Sequence, residues 1–134
     1  MPEREPHVFI AYPFSLEDHA RYGVEGPAKR AGYLARLIAD DVYTGEILQR
    51  IKNQIESAEL VVAVLTQANP NVFLEVGYAW GKGKPTVLVA DENETLKFDV
   101  SGQRIVLYTN ITDLERKFEK ELEGLRATGV LQSS

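Results

Sequence analysis

Residues 60–85 read LVVAVLTQANPNVFLEVGYAWGKGKP, and this stretch decides the fold. It opens with a continuous apolar run, Leu60 to Leu65, which has the length and β-branched composition of a strand covered on both faces. The triplet Asn69-Pro70-Asn71 then signals the start of a helix, and the triplet Gly83-Lys84-Pro85 signals its end. A buried strand that leads directly into a helix is the repeating unit of a parallel α/β sheet.

The rest of the chain alternates between segments typical of strands and of helices. Short apolar runs indicate the strands, and apolar residues with the helical period indicate the helices. The predicted order is strand 8–11, a short helix, strand 33–38, helix 46–57, strand 60–65, helix 72–82, strand 86–90, strand 104–108 and helix 111–126. We expect Asn71 to cap the helix that carries Glu75, and we expect Thr112 and Glu115 to form a capping box in the last helix.

These elements predict a single domain over residues 1–134 with an α/β fold. Right-handed crossovers between strands give a doubly wound, flavodoxin-like Rossmannoid architecture with a five-stranded, mostly parallel sheet. The simplest strand order is 2-1-3-4-5. The continuous apolar character of the strand-like runs predicts that helices cover both faces of the sheet.

Composition and charge exclude several classes of function. The net charge is −5 and no basic cluster occurs, so binding to polymeric nucleic acid is not expected. Cysteine is absent, which excludes thiolate metal sites, and two histidines are too few for a histidine-rich one; a Mg²⁺ site made only of carboxylates stays open. No run is long enough to span a bilayer and the first residues lack the apolar core of a signal peptide, so we expect a cytoplasmic protein without membrane contact.

In such a sheet, ligands bind beyond the carboxyl ends of the strands, at the switch point between the first and third strands. Polar and aromatic residues follow these strand ends, and Glu75 lies on the helix after the third. One interpretation of Glu75 is a ligand-facing carboxylate. The other is a glutamate near a helix start that only complements the helix dipole.

Other catalytic patterns are weak. No glycine-rich phosphate loop is present, since Gly77, Gly81 and Gly83 lie within or at the end of the predicted helix. Ser15 is followed by His19, but no strand-to-helix elbow surrounds the serine, as a hydrolase nucleophile of that kind would need.

The segment from Ala58 to Pro85 resembles the core motif of bacterial Toll/interleukin-receptor-like (TIR-like) domains and of nucleoside 2-deoxyribosyltransferase-like proteins. The resemblance rests on a buried strand that runs into Asn-Pro-Asn-Val-Phe-Leu-Glu-Val-Gly and on the closing Gly-Lys-Pro. Weaker support comes from residues 9–14 and from Phe98-Asp99. The similarity extends over roughly residues 7–108.

The resemblance implies roles for individual residues. Glu75 would act at the anomeric carbon of a ribosyl group, where a carboxylate stabilises or attacks an oxocarbenium-like state. The implied substrate-binding residues lie on the loops around the switch point and are Tyr12, Pro13, Phe14, Arg36, Asp40, Asn69, Asn71 and Tyr78. Asn69 and Asn71 would contact the ribose, the aromatic residues would flank the base, and Arg36 would bind phosphate.

One departure from the family pattern bears on the reaction. Deoxyribosyltransferases use an aspartate near the position of Thr66 to handle protonation of the base, and a threonine hydroxyl does not replace it. This favours hydrolysis, or binding without catalysis, over base exchange.

Three functions are therefore considered. The first is a TIR-like hydrolase that cleaves the nicotinamide–ribose bond of NAD, or a related N-glycosidic bond, in bacterial antiviral defence. The second is a nucleoside or deoxynucleotide N-glycosidase or 2-deoxyribosyltransferase, and the third is a non-catalytic nucleotide-binding or assembly module. The resemblance implies no cofactor and no metal, a small nucleotide as substrate, and a homo-oligomer or an activating partner protein.

Overall fold

The computed structural model describes residues 6–38, 45–94 and 104–131, and its centre is one five-stranded sheet with the order β2-β1-β3-β4-β5. All neighbouring strands are parallel. The strands are β1 (His7–Ala11), β2 (Leu34–Leu37), β3 (Leu60–Val64), β4 (Thr86–Asp91) and β5 (Ile105–Tyr108). This confirms the predicted doubly wound α/β fold and its strand order.

The helices lie between the strands, as predicted. A 3₁₀ turn (Phe14–Leu16) and a π-helix (His19–Glu25) lead into α1 (Gly26–Arg30), followed by α2 (Gly45–Ser57), α3 (Pro70–Gly81) and α4 (Ile111–Ala127). Among the described residues, no helix combines the length and the apolar character needed to cross a bilayer.

Burial differs between the central and the outer strands. Every residue of β1 and β3 is buried, in agreement with their continuous apolar sequence. The outer strand β5 departs from the prediction that every strand is covered on both faces, because Leu107 is 49% exposed. β5 is the last strand of the sheet, and among the described residues no further strand lies beyond it.

The sheet separates two apolar clusters, which we call the closed face and the open face. On the closed face, β1, β3 and β5 pack against the π-helix, α1 and α4, with large side chains such as Tyr12, Tyr108 and Phe118. On the open face, the sheet packs against α2 and α3. Alternate residues of β1 point to the two faces, since Ile10 belongs to the closed face and Phe9 to the open face.

The start of α3 differs from the prediction by two residues. Asn69, and not Asn71, is the N-cap: its side-chain oxygen accepts hydrogen bonds from the backbone N–H groups of Asn71 (3.0 Å) and Val72 (3.2 Å). Pro70 takes the first helical position, where its missing N–H group costs nothing. Glu75 therefore lies in the second turn of the helix, and complementing the helix dipole is a weaker explanation for it, because that effect is confined to the first turn.

The end of α3 agrees with the predicted stop signal. Gly83 follows the C-cap with a φ of +69°, a conformation that favours glycine. The N–H of Lys84 donates to the carbonyl of Ala79 (3.0 Å) and the N–H of Gly83 donates to that of Trp80 (3.0 Å). These two bonds form a Schellman motif, which ends the helix cleanly before β4.

The predicted capping box in α4 was wrong. The N-cap is Asn110, whose side chain accepts from the N–H of Asp113 (2.8 Å), and Asp113 in turn accepts from the N–H of Thr109 (3.0 Å). The helix starts at Ile111, so Thr112 is already inside it and unable to act as a cap. Further along α4, Lys117 Nζ donates to the backbone carbonyl of Leu107 on the outer strand (2.7 Å).

Candidate active site

Glu75 lies inside the protein although its side chain is ionisable. Its neighbours Val72, Val76 and Ala79 on α3 are buried against the open face of the sheet, and Glu75 itself is only 2% exposed. Burial of a carboxylate carries a large desolvation cost. Proteins accept such a cost mostly where the charge is paired or used, which makes Glu75 a candidate for function.

A cavity of about 230 Å³ lies beside Glu75, whose side chain forms part of its lining. It lies between α2 and α3 and is lined by Leu48, Ile51, Lys52, Ile55, Leu74, Glu75 and Tyr78. The four residues from α2 are spaced i, i+3, i+4 and i+7, so they form one stripe of that helix. An apolar pocket with a few polar groups is the usual form of a small-molecule site.

The rim of the cavity carries the ring of Tyr78 between two lysines. Lys52 Nζ lies 5.7 Å and Lys82 Nζ 5.5 Å from the centre of this ring. Lys82 also forms an ion pair with Glu56 at 3.4 Å. Burial raises the pKa of the Tyr78 hydroxyl, as does its hydrogen bond to Glu56, so Tyr78 stays neutral and donates this bond. That hydrogen bond is the largest cause of the lowered pKa of Glu56.

A buried network of hydroxyl groups occupies the carboxyl edge of the sheet. Thr66, directly after β3, lies with its Oγ1 2.7 Å from the hydroxyl of Tyr108, and it accepts the backbone N–H of Asp91 at 2.8 Å. Burial raises the pKa of Tyr108, more than its hydrogen bond to Thr66 lowers it. Thr66 thus joins the carboxyl ends of β3, β4 and β5, which is a structural role.

The predicted site residues fall into two groups in the structure. Glu75 and Tyr78, three residues apart on α3, line the same cavity. Asn69 and Asn71 lie at the start of the same helix, but the side-chain oxygen of Asn69 is engaged in capping. Their predicted contacts with the ribose stay predictions.

The other predicted residues lie outside the lining of this cavity. Tyr12 is 2% exposed and belongs to the closed face, opposite Glu75, so its placement does not support contact with a base. Pro13 is buried and Phe14 is 62% exposed. Arg36 is an exposed residue of the edge strand β2. Asp40 lies outside the described residues.

Sequence reasoning missed the α2 wall of the cavity, and Lys52 in particular. The helical stripe of α2 was visible in the sequence through Leu48, Ile51 and Ile55, and Lys52 falls within it. The position of Lys52 within this stripe was the feature of the sequence that could have identified it as a cavity residue. In the part of the chain that the structure describes, no three His, Asp or Glu side chains cluster in a way that would hold a metal ion.

Comparisons with known proteins agree with this architecture. The family model of nucleoside 2-deoxyribosyltransferase matches residues 12–126. No curated protein matches the chain in sequence.

Three solved structures share the fold. The CMP N-glycosidase BcmB of Clostridium botulinum has a TM-score of 0.64 and 14% identity, with 85% of this chain and 98% of that one covered. The RPS4 and RRS1 TIR domain heterodimer has a TM-score of 0.68 and 17% identity, with 90% and 97% covered. The 2-deoxyribosyltransferase of Bacillus psychrosaccharolyticus has a TM-score of 0.61 and 15% identity, with 81% and 90% covered. Identities this low show the shared fold alone.

Proposed function

Because the chain belongs to the nucleoside 2-deoxyribosyltransferase family, we propose that it is an N-glycosidase that cleaves the bond between the base and the ribosyl carbon of a small nucleotide. The observation that carries this proposal is the burial of Glu75, 2% exposed, in the wall of a cavity between α2 and α3. The resemblance in sequence assigns the catalytic carboxylate to this same residue.

The chemistry suits a carboxylate in this position. When the bond from C1′ to the base nitrogen breaks, its electron pair leaves with the base, and positive charge develops on the ribosyl ring. The carboxylate of Glu75 stabilises this charge, or forms a covalent bond to C1′. Water then adds to C1′, its proton goes to solvent, and the departing base takes up a proton. This reaction needs no cofactor. A preorganised charge in a site shielded from water is more effective than the same charge in bulk water.

Thr66 supports hydrolysis over transfer to a second base. Its hydroxyl is held by Tyr108 and by the N–H of Asp91, and a threonine does not exchange a proton with a base as an aspartate does. Base exchange requires that the site bind and protonate an incoming base as well as release the first. Hydrolysis requires only water as the second reactant.

Two nucleotides are the candidate substrates. The TIR-like resemblance favours the nicotinamide–ribose bond of NAD, and with it a role in antiviral defence. The family match favours nucleosides and their derivatives, and CMP is a suitable first nucleotide because it is the substrate named for the Clostridium botulinum N-glycosidase of the same fold. Assembly with further copies or with an activating partner is part of the NAD proposal, so the assay should include high protein concentrations.

To test the proposal, the protein is incubated separately with CMP, with deoxynucleoside monophosphates and with NAD. Chromatography then measures the free base or nicotinamide that is released. Glu75→Gln keeps the shape of the side chain and removes its charge, and should lower turnover by at least about a hundredfold. The control is Glu59→Gln, an exposed glutamate between α2 and β3, which should leave turnover unchanged. Full turnover in Glu75→Gln would exclude the catalytic role of this residue. Saturable nucleotide binding without turnover at any concentration would favour the non-catalytic binding module.

A further inference from the structure

Lys52 is the cation of the Glu75 cavity. Within the described residues, it is the one basic side chain that lines this cavity, and Glu75 is the one acidic side chain. The remaining lining consists of Tyr78 and apolar residues. Lys52 is half-buried, and its Nζ lies over the ring of Tyr78. Glu75 and Lys52 thus place one acidic and one basic side chain around the same, otherwise mostly apolar cavity.

The charge of Lys52 differs from that of Lys82 on the other side of Tyr78. Lys82 is paired with Glu56 at 3.4 Å. In the described parts of the chain, Lys52 has no carboxylate oxygen within 4 Å, although it lowers the pKa of Glu56 from a longer distance. Lys52 is therefore able to bind an external anion without first breaking an ion pair.

We propose that Lys52 binds the 5′-phosphate of the substrate, so that the enzyme selects nucleotides over nucleosides. This inference rests on the proposed function and specifies its substrate class. In a nucleotide the phosphate is carried on C5′, which is attached to C4′, and C4′ is separated from the anomeric carbon C1′ by the ring oxygen. A nucleotide thus places its developing positive charge at Glu75 and its negative charge at Lys52, whereas a nucleoside leaves Lys52 unused. The low dielectric of an apolar pocket strengthens both interactions.

Arg36 is the alternative phosphate ligand that the sequence suggested. Its side chain is exposed on the edge strand β2, and it does not line the Glu75 cavity. Lys52 shares the cavity with the catalytic candidate, which makes it the better ligand. A lysine acts on phosphate as a point charge with rotatable donors, so it tolerates small differences in how the phosphate is placed.

The test compares kcat/KM for a nucleoside 5′-monophosphate with kcat/KM for the same nucleoside. The wild type should prefer the monophosphate. In Lys52→Gln the ratio of the two values should fall by about 10- to 100-fold, the range expected for a charge-assisted hydrogen bond. The matched control Lys82→Gln removes the other lysine at Tyr78, outside the cavity lining, and should keep the ratio within about threefold of the wild type. A ratio that is equal in wild type and Lys52→Gln would overturn the assignment while leaving the glycosidase function intact.

A binding experiment separates the two proposals. The Glu75→Gln variant, which should not consume its ligand, is titrated by calorimetry with the monophosphate and with the nucleoside, and then again with Lys52→Gln added. The phosphate site is supported if Glu75→Gln binds the monophosphate more tightly than the nucleoside and the double variant with Lys52→Gln does not. This holds even if the wild type turns over no substrate. Equal binding of the two ligands overturns the phosphate site, whatever the turnover.

Discussion

The two faces of the sheet are built from different side chains. The closed face contains the buried rings of Tyr12, Tyr33, Tyr108 and Phe118, together with several leucines. Among the described residues, the open face contains six buried alanines and one fully buried ring, that of Phe9; the alanines are Ala11, Ala58, Ala63, Ala68, Ala79 and Ala90. Small side chains fill less of the space beneath α2 and α3, where the Glu75 cavity lies.

The surface ion pairs also differ between the two faces. Arg30 on α1 contacts Glu115 (3.2 Å) and Glu119 (3.4 Å) on α4, so the two helices of the closed face are also linked at their surface. On the open face, Lys82 and Glu56 connect α3 with α2 at the rim of the cavity. The comparison teaches that one face is built mainly from large rings and leucines, and that the other combines small side chains with a buried glutamate beside a cavity.

The largest effect on stability is expected from Phe118→Ala. Phe118 is fully buried at the centre of the closed face, so its loss leaves a cavity and should lower the free energy of unfolding by about 3–5 kcal/mol. Leu74→Ala is the counterpart on the open face. The Leu74 side chain is 63% exposed, so this substitution should change the free energy of unfolding by less than about 0.5 kcal/mol. Urea denaturation measures both. Similar losses in the two variants would contradict the division into a dense and an open face.

Two glycine substitutions should have opposite signs. A Cβ on Gly23 would lie 2.8 Å from Leu114 Cγ and closer still to its Cδ2, and Leu114 is fully buried. Gly23→Ala should therefore destabilise the protein by about 1–3 kcal/mol. A Cβ on Gly77 of α3 would meet no other atom within 4 Å, so Gly77→Ala should stabilise by about 0.5–1 kcal/mol. The midpoint of thermal unfolding should therefore fall in Gly23→Ala and rise in Gly77→Ala. A loss of stability in Gly77→Ala would mean that another surface packs on α3.

The closed face should also show a pH dependence that arises at Asp113. Hydrogen bonds from Lys117, Thr109 and Arg116 hold its pKa well below the usual value of 3.8. A lowered pKa means that Asp113 contributes stability above pH 3.8, and that this contribution is lost as the pH falls towards the pKa in the folded state. Asp113→Asn should be less stable than the wild type at neutral pH, and the gap should close below about pH 4. A gap that is constant from about pH 7 to about pH 3 would contradict this origin.

The fold followed from sequence because its strands are short continuous apolar runs. In β1 and β3 every residue is buried, so burial on both faces leaves a pattern that is visible in the local sequence. The caps were harder. Asn69 and Asn71 both flank Pro70, and only the preference of proline for the first helical position distinguishes them. Asn110 was overlooked as the N-cap because Thr112 and Glu115 have the spacing of a capping box, although α4 starts before Thr112.

The site was predicted in part. Glu75 and Tyr78 share a helix, so their proximity follows from spacing alone. Tyr12 was placed beside them because it follows β1, but it has the same parity as Val8 and Ile10 and therefore points to the closed face. Lys52 comes from a helix that is distant in sequence. Its approach to Tyr78 depends on how α2 packs on α3, which no local pattern records.

The hydrogen bond from Lys117 to the carbonyl of Leu107 has a consequence for contacts between molecules of this protein. Leu107 lies on the outermost strand, whose unpaired backbone groups would form a template for strands of other molecules. The ammonium group, which is also paired with Asp113 (3.0 Å), occupies one of these acceptors, and Arg36 places a positive charge on the opposite outer strand. Charged lysines and arginines at sheet borders are a common defence against the growth of fibrils. The same side chain that fastens α4 to β5 thus occupies an acceptor through which a strand of another molecule could pair.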